Sequence, residues 1–118
     1  MKPATNIPTE YLQEKVAALR VLCQKHKVKK LWAIGSVLTR DFNENSDVDL
    51  LYEFDRPAIP DDLYLNNLDG LIRKLSALFT GRKIDLIHYP SLKNPFFIEE
   101  IEETKVLLYD KDRQEVSV

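Results

Sequence analysis

The stretch that decides the fold is AIGSVLTRDFNENSDVDLLYEF, Ala33–Phe54. Asp47 and Asp49 stand one residue apart inside SDVDLLYEF, where nearly every neighbour favours a buried strand. Burying one carboxylate is costly, and burying two side by side costs more. Ten residues separate this pair from an isolated Gly35-Ser36. Alternate residues of a strand face the same way. Asp47 and Asp49 therefore project from one face, roughly 6.5–7 Å apart at the backbone, and flexing side chains can bring their oxygens onto a common cation. Val48 points away, into packing.

Working outward, Val28 to Ile34 reads as a strand ended by Gly35-Ser36, and Ser36 to about Phe42 as a short helix. Asn43-Glu44-Asn45-Ser46 is turn chemistry. Val48 to Phe54 is the second strand, broken by Arg56-Pro57-Ala58-Ile59-Pro60. Upstream, Thr9 to about His26 reads as a helix with Thr9 as its N-cap. Leu12, Val16, Leu19, Cys23 and His26 form its apolar stripe. Downstream, Asp61 to Phe79 is the longest helix, striped by Leu68, Leu71, Leu75 and Leu78 and stopped by Gly81. Gly70 in its middle costs about 1 kcal/mol and permits a bend. Lys83 to Tyr89 is the third strand. Asn94 caps a helix with Pro95 in first position, running to about Glu103 with Phe97, Ile98 and Ile101 inward. Val106 to Tyr109 is the last strand, and Gln114 to Val118 frays. Strands alternating with helices predict an α/β (α+β) fold, a small mixed sheet flanked by helices. Residues 1–118 form one domain, with its core at about 10–110.

A third acid, Asp85, lies early in KIDLI. The second strand, the long helix and the third strand make a β-α-β unit, which sets its strands parallel. Asp49 and Asp85 are each near the start of a strand, so parallel neighbours bring them level. If the second strand runs antiparallel to the first, Gly35-Ser36 joins them at one sheet edge. Three carboxylates around one point repel each other, and hard divalent cations relieve that repulsion. Mg²⁺ prefers oxygen ligands together with substrate phosphates. Two such ions can hold an attacking oxygen and a leaving phosphate. Gly35 lets backbone approach a phosphate, and Ser36 with the following helix start offers hydrogen-bond donors to a triphosphate.

The charge balance, 17 basic against 19 acidic residues, argues against a general nucleic-acid binder. One cysteine, Cys23, allows no intramolecular disulfide and fits a reducing cytoplasm. The start, MKPATNIPTEYLQ, lacks the apolar core of a signal peptide. No apolar run approaches the roughly 18 residues of a membrane span. The expectation is a soluble cytoplasmic protein that meets no membrane.

Gly35-Ser36, the ten residues that follow, Asp47-Val48-Asp49 and the strand-borne Asp85 resemble the polymerase-beta-like nucleotidyltransferase superfamily. The size of the chain resembles its minimal nucleotidyltransferase (MNT) domains, and SLKNPFFIEEIEETKVLLYD, Ser91–Asp110, is similar to their closing helix and strand. The resemblance implies that Asp47, Asp49 and Asp85 are catalytic and ligate Mg²⁺, with Asp85 helping to deprotonate the acceptor hydroxyl. It implies that Gly35 and Ser36 hold the nucleotide phosphates. Family members often carry Arg-Gly after Gly-Ser, where this chain has Thr39 and Arg40. Arg40 supplies the phosphate-facing charge from a shifted position, or it sits in solvent. MNT domains are commonly paired with a HEPN-domain protein in toxin–antitoxin modules. Active members transfer AMP from ATP to the toxin.

Plainer readings stand beside these. Asp47 and Asp49 could end a turn, Asp85 could pair with Arg82 or Lys83, and Ser36 could cap the next helix. His26, Cys23, Trp32 and Tyr52 read as packed residues and His88 as no ligand. Lys25, Lys27, Lys29 and Lys30 read as a solvated cluster or a partner contact. Glu99, Glu100, Glu102 and Glu103 read as including an acidic first turn, or as a partner-facing surface. Two further functions remain open: an antitoxin acting by binding alone, and a small-molecule nucleotidyltransferase acting as an oligomer.

Overall fold

The computed structural model describes residues 10–113. The expected N-cap Thr9 and the tail Gln114–Val118 lie outside the described residues. Among these, the elements are α1 (Glu10–Lys25), β1 (Val28–Ile34), β2 (Val48–Phe54), α2 (Tyr64–Leu78), β3 (Ile84–His88), α3 (Pro95–Thr104) and β4 (Val106–Asp110). They build one mixed sheet in the order β3-β2-β1-β4. β1 is antiparallel to β2 and to β4, and β2 is parallel to β3.

Period-two alternation divides the strands between two cores. Val28, Leu31, Ala33, Val48, Leu50, Tyr52 and Phe54 face α1 and α2, where Leu12, Leu19, Cys23, Leu71, Leu75 and Phe79 complete the larger core. Trp32, Ile34 and Leu51 face the other way, onto Ile101 of α3. Asp49 lies between Val48 and Leu50 on its strand, so it shares the face of Leu51 and opens toward α3. α3 starts as expected: Asn94 Oδ1 accepts from the Phe96 and Phe97 amides at 2.9 and 3.3 Å, with Pro95 beside them.

Three expectations are corrected. The helix over Ser36–Phe42 is only a 3-10 turn, Gly35–Leu38. Thr39 is extended, and its Oγ1 donates to the Ser36 carbonyl at 3.0 Å and accepts from the Asp41 amide at 3.2 Å, which closes the turn off. The long helix begins as a separate 3-10 turn at Asp61–Leu63, leaving α2 a residue shorter than α1. Gly70 has a packing reason. An alanine Cβ there would stand 3.0 Å from Cε1 of buried His26. The His26 Nδ1 lies 3.2 Å from Asn67 Oδ1, and Asn67 Nδ2 donates to the His26 carbonyl at 2.7 Å, so the ring is held against α2. Finally, α3 has no acid in its first turn, because the helix starts at Pro95 and its first glutamate, Glu99, falls in the second turn. Glu102 there pairs with Lys105 at 2.6 Å.

Candidate active site

Two strand starts meet at one edge. Asp49 and Asp85 are direct partners in the parallel β2–β3 ladder, and Ile34 is the antiparallel partner of Asp49 from β1. Gly35 therefore turns the chain beside Asp49. Its φ of +79° is a conformation L side chains rarely adopt, and a Cβ there would meet Asp49 Oδ2 at 2.6 Å. Glycine is required twice over, for the turn and for the close approach of backbone to carboxylate.

Their ladder pairing sets the Asp49 and Asp85 carboxyl groups side by side. Burial of Asp49 raises its pKa above the ordinary 3.8, and the neighbouring carboxyl of Asp85 raises it further, with a contribution from Asp47. Asp47 itself is exposed, in the loop just before β2. Among the described residues no three His, Cys, Asp or Glu side chains close around one point. The arrangement is thus a tight pair, Asp49 and Asp85, with Asp47 close enough to be felt electrostatically. Lys83 Nζ lies 3.8 Å from Asp85 Oδ1. That pair is solvent-exposed on both sides and contributes at most about 1 kcal/mol.

A cleft of about 390 Å³ opens at this edge, between the sheet and α3. Gly35, Asp49 and Asp85 line it, with Ile34, Ile87, Phe97 and Ile101 as apolar wall and Glu100 and Thr104 at the α3 side. Of the residues singled out from sequence, the structure brings Gly35, Asp49 and Asp85 together. Ser36 is half-buried in the 3-10 turn and Arg40 is exposed on the loop beyond it; neither lines the cleft, and nor does Asp47. Sequence reasoning missed Glu100 and Thr104. Their signal was the helical offset from Phe97 and Ile101, which it had turned inward.

The remaining titratable residues behave as packed or surface groups. Burial pushes the Cys23 thiol up to about 12, which leaves it unreactive. His88 Nδ1 contacts Ser91 Oγ at 2.6 Å at the far end of β3. Lys29 lies 4.0 Å from Glu53, so part of the basic cluster is a surface ion pair. Among the described residues no helix is long and apolar enough to cross a membrane.

The Asp49–Asp85 pair gives the metal-free protein a defined pH response. A carboxyl whose folded pKa is raised contributes stability below its unfolded pKa and loses it as pH rises through the folded value. Ionising Asp49 in its partly buried place beside Asp85 carries a cost that grows as pH rises. Asp49→Asn is therefore expected to melt a few degrees above the unsubstituted protein in chelator at neutral pH. The difference should vanish below the ordinary carboxylate value of 3.8. Thermal denaturation at the two pH values checks this, and a variant less stable at neutral pH would contradict it.

A four-stranded mixed sheet with paired strand-start acids and a positive-φ glycine at one edge is the framework of a nucleotidyltransferase. Residues 17–114 match the family described as Polymerase beta, Nucleotidyltransferase, and the chain belongs to that family. Two relatives come from Methanocaldococcus jannaschii. "Putative protein adenylyltransferase MJ0128" is 34% identical over 71% of this chain and 80% of its own length. "Putative protein adenylyltransferase MJ1379" is 35% identical over the same shares. Among solved structures, one described as a "putative minimal nucleotidyltransferase" has a TM-score of 0.63 at 24% identity, covering 89% of this chain and 98% of its own. A toxin–antitoxin structure with AMP-PNP has a TM-score of 0.60 at 16% identity, covering 83% and 75%. These structural likenesses establish the fold.

Proposed function

We propose that the protein transfers AMP from ATP to a hydroxyl group of a protein acceptor, as the antitoxin of a HEPN-type toxin. The observation that carries the reading is the register match of Asp49 with Asp85, with the Gly35 backbone pressed against Asp49 at the mouth of a cleft. The names of the Methanocaldococcus relatives support adenylyl transfer to protein. The toxin–antitoxin structure with AMP-PNP supports the setting and the nucleotide.

The donor set fits Mg²⁺. Asp49 and Asp85 supply hard oxygen donors whose proximity raises the Asp49 pKa, and Asp47 is exposed and free to rotate toward them. Bound Mg²⁺, as two ions, would neutralise the carboxylates and the triphosphate and align the leaving pyrophosphate. The protein's own part is positioning and proton transfer. Gly35 holds the phosphates by its backbone at the cleft, while Ser36 in the same turn and Arg40 on the loop beyond stand outside the cleft lining and meet the part of the triphosphate that extends past it. The acceptor oxygen attacks the α-phosphorus, and the bond from that phosphorus to the β-phosphate bridging oxygen breaks. Pyrophosphate leaves, and the hydroxyl proton passes to the Asp85 carboxylate. The cleft is open on one side, so the acceptor protein completes it. AMP on a toxin hydroxyl adds negative charge where RNA would bind and repels its backbone.

If Asp85 takes the proton, Asp85→Ala lowers turnover by at least about 10²-fold while changing Mg·ATP affinity far less. Single-turnover kinetics beside calorimetry separate the two, and near-normal turnover would make Asp85 a structural residue paired with Lys83. In cells carrying the toxin, a variant lacking Asp47 and Asp49 should fail to protect. Full protection by that variant would mean that the chain neutralises its partner by binding alone.

A further inference from the structure

Asp47 reaches the site from a loop, Asn43–Ser46, whose own residues are mostly exposed. Something outside the loop must fix where it delivers the acid. Arg82 makes the contacts that do so. Its guanidinium lies 4.2 Å from the Phe42 ring centroid and 4.7 Å from that of Tyr11, so it rests against both members of an aromatic pair whose own centroids are 5.3 Å apart. From that position Arg82 Nη1 donates to the Asn43 carbonyl at 2.7 Å and to the Ser46 carbonyl at 2.8 Å, and Nε donates to Tyr11 Oη at 3.1 Å. Nη1 and Nε, fixed in one plane, reach the two carbonyls and Tyr11 at once, which the single nitrogen of a lysine ammonium does not.

The next residue holds the other side. The Val48 amide donates to the Lys83 carbonyl at 2.9 Å. Asp47 thus stands between two points, Ser46 and Val48, both anchored to the segment Arg82-Lys83. Two residues further along that segment is Asp85. One short stretch of chain therefore sets the loop bearing Asp47 and carries the acid that pairs with Asp49.

We propose that Arg82 is a positioning residue for the metal site: it holds the Asn43–Ser46 loop so that Asp47 is presented to Asp49 and Asp85. The inference rests on the nucleotidyl-transfer reading for its consequence, while the loop's dependence on Arg82 can be tested without it. The variants are Arg82→Lys, which keeps the charge and loses the fork, and Arg82→Met, which keeps the apolar stem. Tyr11→Phe removes only the acceptor of the Nε–H and is the mild member of the series. Gly70→Ala, remote from the site, serves as a control destabilised by its contact with His26.

Amide hydrogen exchange on the metal-free proteins reads the loop directly. Faster exchange at the Val48 amide and through Asn43–Asp47 is expected in Arg82→Met and Arg82→Lys, and not in Gly70→Ala. Calorimetry with Mg·ATP reads the consequence. The Arg82 variants should bind about 10- to 100-fold more weakly, the range for lost outer-shell support of a metal site, with Gly70→Ala unchanged. Unaltered loop exchange in folded Arg82 variants would overturn the proposal. So would unaltered Mg·ATP affinity with a loosened loop, because Asp47 would then need no positioning. If the unsubstituted protein binds no Mg·ATP, the functional reading fails, and the exchange data alone decide whether Arg82 orders the loop. Should both Arg82 variants fail to fold, Tyr11→Phe carries the same two readouts with smaller expected changes in the same direction.

Discussion

Replacing Asp47 and Asp49 together by asparagine abolishes Mg²⁺-supported ATP binding and lowers nucleotidyl transfer by at least about 10³-fold, with the fold intact. Asp49 is raised above 3.8 by burial and then by Asp85 and Asp47, so the site is strained toward neutrality when no cation is present. Asparagine keeps the shape and removes the charge. Relief of repulsion favours the metal-free variant, while the loss of two anionic oxygen donors removes the means of holding the cation and the triphosphate it accompanies. Stability and function should therefore move in opposite directions, which simple unfolding cannot imitate. Calorimetry with Mg·ATP and thermal denaturation in chelator measure the two. Unchanged Mg·ATP affinity in the folded double variant would remove the acids from the site.

Gly35→Ala is the second large effect. An alanine at φ +79° costs about 1–3 kcal/mol in backbone strain alone, and its Cβ would lie 2.6 Å from Asp49 Oδ2. Gly81 supplies the matched comparison, since its φ is +83° and a Cβ there meets nothing within 4 Å. Both alanine variants should lose stability through the backbone. Only Gly35→Ala should also displace the Asp49 carboxylate and lose Mg·ATP binding. Equal binding by the two variants would show that the close approach at Gly35 has no part in the site.

Much of this was legible in sequence, for physical reasons that differ by element. β1 and β2 were read to the residue because both are apolar runs bounded by strong breakers, Gly35 for one and Arg56-Pro57 for the other. The level pairing of Asp49 with Asp85 followed from the parallel rule for β-α-β units. The antiparallel β1–β2 pairing is the arrangement that brings Gly35-Ser36 beside the acids, and the connection of about a dozen residues allows it. The segment after Gly35 was misread because its residues tolerate a helix, and a single threonine hydroxyl that closes the turn leaves no periodic trace. Asp47 could be placed beside Asp49 by spacing, but not its exposed position, which depends on Arg82 far along the chain. Glu100 was assigned to a first turn because the helix start at Pro95 was read correctly while the acids were counted one turn too early.

The central claim is that the chain breaks ATP between its α- and β-phosphates at the Asp49–Asp85 edge and leaves AMP on a protein. ATP labelled on the α-phosphate, and separately on the γ-phosphate, incubated with Mg²⁺, the protein and its toxin partner tests it most directly. The account predicts that the α-label appears on the partner, that the γ-label appears only in released pyrophosphate, and that Asp49→Asn yields neither. Transfer of the γ-label to the partner, or α-labelling undiminished in Asp49→Asn, would contradict it.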